Sequence, residues 1–178
     1  SVEIKNNMKK FKNLIISSSE LFKEFKINIL TFQNEKKTFE YFAKSKNIEV
    51  VTNIKKKHQI MMNSYVAIAA SGSVTLELVN YKVPTIVFYE THWLTKLFIK
   101  FLVKVKYASI INIFYNKEIV PEFLFEKFNH HNLITCITNY INKNQLRLNQ
   151  LRYFKDFSKK MLSNNKNPAA LIVEDLDL

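Results

Sequence analysis

The residue types best suited to ligand chemistry surround Gly72, the only glycine of the chain. It lies between Ser71 and Ser73, where an apolar stretch typical of a strand gives way to a helical pattern. A glycine here lets backbone approach a ligand, and the following helix offers free N–H groups and a positive dipole end to a diphosphate. Glu77, one turn beyond Ser73, could accept hydrogen bonds from a pair of ribose hydroxyls. The same residues are also typical of a tight turn with Ser73 as N-cap and Glu77 as a solvated helix residue.

The elements that would position this turn alternate between strand and helix. Periodicity predicts strands at Ile27–Phe32, Ile48–Thr52, Tyr65–Ala70 and Thr85–Tyr89, and helices at 3–13, 35–45, 55–63, 73–81 and 93–104. Short apolar strands separated by helices indicate an α/β, Rossmann-like fold with a doubly wound parallel sheet, in which ligands bind beyond the carboxyl ends of the strands. A short extended piece is expected at Ser109–Ile113, followed by helices, one opened by Pro121 and the last by Pro168.

The net charge of the 178-residue chain is +12, with 27 basic against 15 acidic residues. Such a balance suits an anionic partner, whether nucleic acid, anionic lipid or a phosphorylated substrate. Because Arg147 and Arg152 are the only arginines, bidentate contacts to phosphates or guanine edges are scarce, which disfavours nucleic acid. Lysines that merely solvate the surface are the alternative.

Several classes of site and location are disfavoured by composition. The single Cys136 cannot form an internal disulfide, and no Cys and His residues have metal-site spacing, so we expect neither a metal nor a cofactor. The adjacent His130 and His131 are expected at the surface. No secretion signal follows Ser1 and lysines interrupt every apolar run, so a cytoplasmic protein without membrane-spanning helices is expected.

A basic amphipathic helix is predicted at 93–106. Three lysines recur every four residues, and apolar side chains cover much of the remaining surface: Lys96, Lys100 and Lys104, with Leu97, Phe98, Phe101, Leu102 and Val105. Such a helix can lie at an anionic membrane surface, with Lys96, Lys100, Lys104, Phe98 and Phe101 at the lipid. An ordinary core-packing helix with a lysine face has the same pattern.

A series of ordered motifs resembles one known family, the bacterial lipid-A-disaccharide synthases. The run Ala70-Ser71-Gly72-Ser73-Val74-Thr75-Leu76-Glu77 is similar to the family's A-S-G-T-x-x-L-E signature. Downstream, in family order, follow Lys82-Val83-Pro84, Val87-Phe88-Tyr89, Lys100 to Ser109, Ile111-Asn112-Ile113 and Lys117 to Glu122. Glu3-Ile4 resembles the residues after the family's G-S-R turn, so the resemblance covers nearly the whole chain.

This resemblance implies the carboxyl-terminal, UDP-sugar-binding half of a glycosyltransferase with two Rossmann-like domains. The family transfers 2,3-diacylglucosamine from UDP-2,3-diacylglucosamine to 2,3-diacylglucosamine 1-phosphate, releases UDP and uses no bound metal. Its acceptor domain and presumed base lie in the amino-terminal half, so this chain alone is expected to be inactive. The resemblance also implies a peripheral location on the inner membrane. By resemblance, Ser71, Gly72 and Ser73 face the diphosphate, Glu77 the ribose, and Tyr89 lines the site. Asn112 is expected in the donor site as a catalytic and UDP-sugar-binding residue, where the family has an essential asparagine.

Three departures from the family pattern fall near the implied donor pocket. Glu90 replaces a basic residue, Tyr115-Asn116 replaces A-G, and Phe125 replaces a glutamine. Asparagine can still reach positive φ, but an acid in place of a base near a diphosphate weakens the attraction for it.

Two other functions remain open. One is a basic, non-catalytic module that binds anionic membrane or RNA, and the other is a different UDP-sugar enzyme of the same architecture, which the motif order disfavours. We expect a nucleotide-sugar domain at 1–128 and a helical tail at 129–178 that packs on that domain or on a partner. A homodimer that exchanges this tail is a further expectation.

Overall fold

Parallel strands joined by helices form the frame of the molecule. The computed structural model describes residues 22–40, 47–70, 72–89, 106–124 and 129–163. Its strands are β1 (Ile27–Leu30), β2 (Ile48–Val51), β3 (Ala67–Ala69), β4 (Thr85–Tyr89) and β5 (Glu122–Leu124). Its α-helices are α1 (Lys36–Glu40), α2 (Ile54–Met62), α3 (Ser73–Asn80), α4 (Ile110–Tyr115), α5 (His130–Asn142) and α6 (Asn144–Ser163), with a 3-10 turn at Gln33–Glu35.

All strand pairs are parallel and fall into two sheets. The first pairs β1 with β2 from Ile27 opposite Ile48 to Leu30 opposite Val51, and the second has the order β3-β4-β5. Helices connect successive parallel strands, with α2 between β2 and β3 and α3 between β3 and β4. The fold is therefore α/β and Rossmann-like, as the sequence predicts, and the four predicted strands are present within a few residues of their expected ends.

Helices cover both faces of β4, whose side chains alternate between the two. Ile86 and Phe88 pack against α5, whereas Val87 packs against a cluster that includes Phe154 and Phe157 of α6. A third cluster joins α3 to β3 and to Leu30 of β1. These shared clusters hold the strand ends, and hence the turns that follow them, in fixed relation.

Two predictions for the segment after β4 are wrong. The expected extended piece at Ser109–Ile113 is the start of α4, because the Glu122 carboxylate accepts hydrogen bonds from the N–H groups of Ala108 and Ser109 at 2.9 and 2.7 Å and so caps that helix from a distance. Pro121 opens no helix. It precedes β5, and its carbonyl accepts from the Val87 N–H at 2.8 Å, which places the following residues beside β4.

The ends of α3 and α4 share one hydrogen-bonding pattern. After α3, the N–H of Lys82 donates to Val79 and that of Val83 to Leu78, the two bonds of a Schellman motif. The same motif ends α4, with Asn116 in the left-handed region at φ 45°. The expectation that asparagine adopts positive φ at position 116, where the family that the sequence resembles has glycine, is thus confirmed.

The predicted helices at 3–13 and 93–104, and the one opened by Pro168, lie outside the described residues. None of the helices within the described ranges combines the length and the hydropathy needed to cross a bilayer.

Candidate functional site

The turn between β3 and α3 brings exposed backbone to the carboxyl end of β3. Gly72 has φ 132° and ψ −159°, a backbone conformation that residues with a side chain rarely adopt. A Cβ atom placed on Gly72 would meet no atom within 4 Å. Both Gly72 and Ser73 are exposed, so none of the described residues fills the space in front of the turn.

The first turn of α3 presents backbone N–H groups without a side-chain cap. Gly72, not Ser73, is the N-cap, and the first turn holds no acidic residue. Thr75 makes the first bond back to the Gly72 carbonyl, from its N–H at 3.1 Å and its hydroxyl at 2.7 Å. The N–H groups of Ser73 and Val74 precede that bond and have no partner within the helix. Among the described residues no acidic side chain therefore compensates the positive end of the helix dipole, which favours an anion.

Glu77 lies one turn along the same exposed face of α3. Ser73, Glu77 and Asn80 are exposed, whereas Thr75, Leu78 and Val79 are buried. Among the described residues none forms a hydrogen bond or an ion pair with the Glu77 carboxylate. The structure thus brings together Gly72, Ser73 and Glu77 on one accessible surface, with donors at the turn and an acceptor beyond it.

The remaining sequence-predicted residues on this side are not all described. Ser71 lies outside the described residues, as do the five proposed membrane-surface residues Lys96, Phe98, Lys100, Phe101 and Lys104. Tyr89 ends β4 and pairs with Leu124 of β5, but its side chain falls outside the description.

Asn112 occupies a different setting from the turn, because it is fully buried in α4. Its Oδ1 accepts from the N–H groups of Ile119 and Val120, each at 2.8 Å. Its Nδ2 donates to the Val120 carbonyl at 2.7 Å and to a Glu122 carboxylate oxygen at 2.8 Å. The carboxamide thus fixes the segment 119–122 and has no hydrogen-bonding position left for a ligand in this arrangement.

Sequence reasoning missed two polar residues that hold the same region. Glu122 links the start of β5 to the start of α4. Gln150 of α6 links the start of β4 to α5 and to the segment before β5. The Gln150 side chain accepts from the Thr85 N–H at 2.6 Å and donates to the carbonyls of Thr85 and Ile119 at 2.9 and 3.0 Å. Gln150 falls on the same helical row as the buried Phe154 and Phe157, and a polar residue on an apolar row is the signal that could have identified it.

An open groove of about 1050 Å³ lies between α5, α6 and the segment 117–123. None of the sequence-predicted site residues lines it. Cys136 does, and burial together with the nearby Glu118 raises the pKa of its thiol to about 11. That thiol is therefore protonated at neutral pH and unsuited to nucleophilic chemistry. Within the described residues no three His, Cys, Asp or Glu side chains are grouped so that they could hold a metal ion.

The chain is similar to known proteins along most of its length. A family model described as lipid-A-disaccharide synthetase matches residues 1–175. The lipid-A-disaccharide synthase of Gluconobacter oxydans is 30% identical over 130 residues, 72% of this chain and 31% of that protein. The Rickettsia prowazekii lipid-A-disaccharide synthase is 35% identical over 109 residues, 60% of this chain and 28% of that protein.

A plant relative matches as well, the probable mitochondrial lipid-A-disaccharide synthase of Arabidopsis thaliana, which is 33% identical over 95 residues. This match covers 53% of this chain and 21% of the plant protein. The chain therefore spans between about a fifth and a third of the length of these relatives. Because the family model matches nearly the whole of it, the chain belongs to the lipid-A-disaccharide synthetase family.

Proposed function

We propose that this chain is the donor-binding, carboxyl-terminal part of a lipid-A-disaccharide synthase. The reaction would transfer 2,3-diacylglucosamine from UDP-2,3-diacylglucosamine to 2,3-diacylglucosamine 1-phosphate, giving the lipid A disaccharide phosphate and UDP. The single observation that carries the proposal is the exposed Gly72 turn, where no side chain caps the helix and the Glu77 carboxylate one turn away has no hydrogen-bond or ion-pair partner among the described residues. Family membership supplies the substrate class.

The binding mode follows from the chemistry of that surface. The diphosphate of UDP would accept hydrogen bonds from the N–H groups at the start of α3, and the Ser73 hydroxyl would add a donor. Glu77 would accept hydrogen bonds from the ribose hydroxyls. A charged acceptor binds a hydroxyl more strongly than a neutral side chain does. In this proposal Ser71 and Tyr89 complete the pocket. Asn112 acts by holding the segment 119–122 rather than by touching UDP, as its four internal hydrogen bonds suggest.

The rest of the enzyme belongs to the proposal too. Its acceptor site and catalytic base would be supplied by an amino-terminal domain, so we expect the 178-residue chain to bind UDP without transferring sugar. Peripheral attachment to the inner membrane would bring the enzyme to its acylated substrates, with the segment 93–106 as one contact. A homodimer that exchanges the carboxyl-terminal helices would be compatible with these functions.

Calorimetric titration of UDP into the chain tests the proposed function. We expect saturable binding that Glu77→Ala weakens about tenfold or more, since a hydrogen bond to a charged acceptor contributes about 1.5–3 kcal/mol. Glu24→Ala removes an exposed carboxylate just before β1 and serves as the matched control, with unchanged affinity expected. Gly72→Ala should weaken binding as well, because φ 132° is strained for alanine.

Two results would count against the proposal. One is the absence of UDP binding by a chain shown to be folded by circular dichroism. The other is salt-sensitive binding to polyanions that neither Glu77→Ala nor Gly72→Ala alters, which would favour the basic non-catalytic module instead.

A further inference from the structure

One face of α6 carries a row of exposed side chains, three of which are cations. Leu148, Arg152, Lys155 and Lys159 are all exposed and follow one another at helical spacings of four, three and four residues. At 1.5 Å per residue the row extends over about 16 Å. The opposite face is buried against α3, α4 and the sheet through Gln150, Phe154 and Phe157.

Within the described residues no carboxylate forms an ion pair with this row, although Asp156 lies close enough to Lys159 for electrostatic attraction. The only acidic residue of α6 is Asp156, on the flank of the helix, and it is already engaged: Lys160 lies 2.8 Å from it and the Tyr115 hydroxyl donates to it at 2.5 Å. These contacts lower the pKa of Asp156. Among the described residues, Arg152, Lys155 and Lys159 have no ion-pair partner.

Some lysines elsewhere on the described surface lie in ion pairs, whereas Lys37, Lys55 and Lys143 have no ion-pair partner among the described residues. On the β2 side, Glu49 pairs with both Lys26 and Lys56, and on α1 Lys36 pairs with Glu40 at 3.3 Å. An ion pair of this kind keeps the local electric field small, and it is compatible with lysines whose role is to solvate the surface. The α6 row differs from both groups because its three cations follow one another along a single helix face.

We propose that this α6 row, Leu148, Arg152, Lys155 and Lys159, docks the protein on an anionic lipid surface. Lysine ammonium groups along a straight helix face meet a plane of lipid phosphates as point charges, and the exposed Leu148 adds an apolar contact at one end. Single-stranded RNA fits less well, because the row has no aromatic ring on which bases could stack. The nearby Tyr153 ring is half-buried and has the Lys117 ammonium over it at 5.0 Å.

The proposal rests on the proposed function only for the expectation that acylated substrates bring the enzyme to lipid. The charge row itself stands on the contacts of α6. Docking through α6 is also distinct from docking through the segment 93–106, since the two use different residues and can be tested separately.

Vesicle sedimentation of the whole chain tests the α6 row. Vesicles of phosphatidylcholine with about 30% phosphatidylglycerol supply the anionic surface, and pure phosphatidylcholine vesicles the neutral one. We expect the double variant Lys155→Glu/Lys159→Glu to bind anionic vesicles at least about tenfold more weakly than the unaltered chain. The control Lys37→Glu/Lys55→Glu changes the net charge equally at exposed positions of α1 and α2 and should cost less than about twofold.

Lys155→Gln/Lys159→Gln repeats the test without introducing negative charge, and circular dichroism verifies that each variant is folded. Equal losses in the α6 and control variants would overturn the proposal, because net charge alone would then explain binding. Unchanged binding of both α6 variants would overturn it as well, as would tighter binding to a single-stranded RNA than to vesicles. UDP affinity measured on the same variants separates the two proposals, since loss of vesicle binding with UDP binding intact concerns the α6 row alone.

Discussion

At the scale of single residues, Asn112 shows how a residue implicated in function can act indirectly, by positioning other groups. Its carboxamide is fully buried and satisfied by the segment 119–122. Glu122, which it contacts at 2.8 Å, in turn caps the N-terminus of α4. A change at Asn112 would therefore displace backbone around it before it altered any ligand contact.

Asn112→Ala should lower the free energy of unfolding by about 2–4 kcal/mol, because two N–H groups and a carbonyl lose buried partners. Urea denaturation measures this, with Asn149→Ala, at an exposed position, expected to cost less than about 0.5 kcal/mol. Asn112→Asp places a carboxylate beside the Val120 carbonyl and Glu122, so it should be most destabilising at high pH and partly relieved as acid protonates it. If the Asn112→Ala chain were as stable as the unaltered one, the positioning role of Asn112 would be refuted.

The thiol of Cys136 gives a pH-dependent prediction. Burial raises its pKa to about 11, so its reaction with a disulfide reagent at pH 8 should be about a hundredfold slower than that of a free cysteine peptide. Since the folded-state pKa is raised, the stability gained from the neutral thiol is present below the unfolded pKa near 9.0 and is lost as pH rises toward 11. Thermal unfolding across that range should show this loss relative to Cys136→Ala, and equal slopes for the two chains would contradict it.

At the scale of elements, Gln150 couples α6 to the start of β4. Its amide bonds to both the N–H and the carbonyl of Thr85, as a neighbouring strand would, and it also donates to the Tyr140 hydroxyl of α5 at 3.1 Å. A helix side chain thus replaces a strand partner and fixes where β4 begins relative to α5 and α6.

Gln150→Leu keeps the size of the side chain but leaves the Thr85 backbone unpaired, so we expect a loss of about 2–4 kcal/mol in unfolding free energy. Hydrogen exchange locates the effect, with protection at the Thr85 amide falling more than protection in α2. Gln145→Leu, at an exposed position of the same helix, is the matched control. A uniform fall in protection across all strands would indicate general destabilisation rather than loss of this coupling.

The elements that could be predicted from sequence are those whose signal is local. The first four strands are apolar runs between helical patterns, and Gly72 is conspicuous as the single glycine. The failures depend on distant contacts: Ile110 to Ile113 reads as a β-branched strand, yet Glu122 caps it into a helix from ten or more residues away. With three residues, β5 is too short for periodicity, and the contacts of Asn112 and Gln150 arise only when the chain is folded.

At the scale of the whole molecule, the hydrophobic clusters cross the boundary that the sequence suggests near residue 128. Leu133, Ile137 and Tyr140 of α5 form one cluster with Phe22, Ile86 and Phe88. Phe154 and Phe157 of α6 form another with Val79, Val87 and Ile111. Both faces of β4 are thus completed by residues from the last third of the chain, and the sheet would expose them without it.

We therefore expect a chain ending at residue 128 not to fold alone. Burial of a large apolar side chain contributes about 1.5–3 kcal/mol, so the loss of the five α5 and α6 side chains in these clusters would match or exceed a typical domain stability of about 5–15 kcal/mol. Circular dichroism and urea titration of residues 1–128 should show no cooperative transition, whereas Leu133→Ala in the whole chain should keep one at lower urea. Adding residues 129–178 as a separate peptide should restore the transition if packing, rather than chain connectivity, is what the sheet requires. A cooperative transition for 1–128 alone would instead mean that α5 and α6 are an appendage, and that the strand ends around Gly72 hold their positions without them.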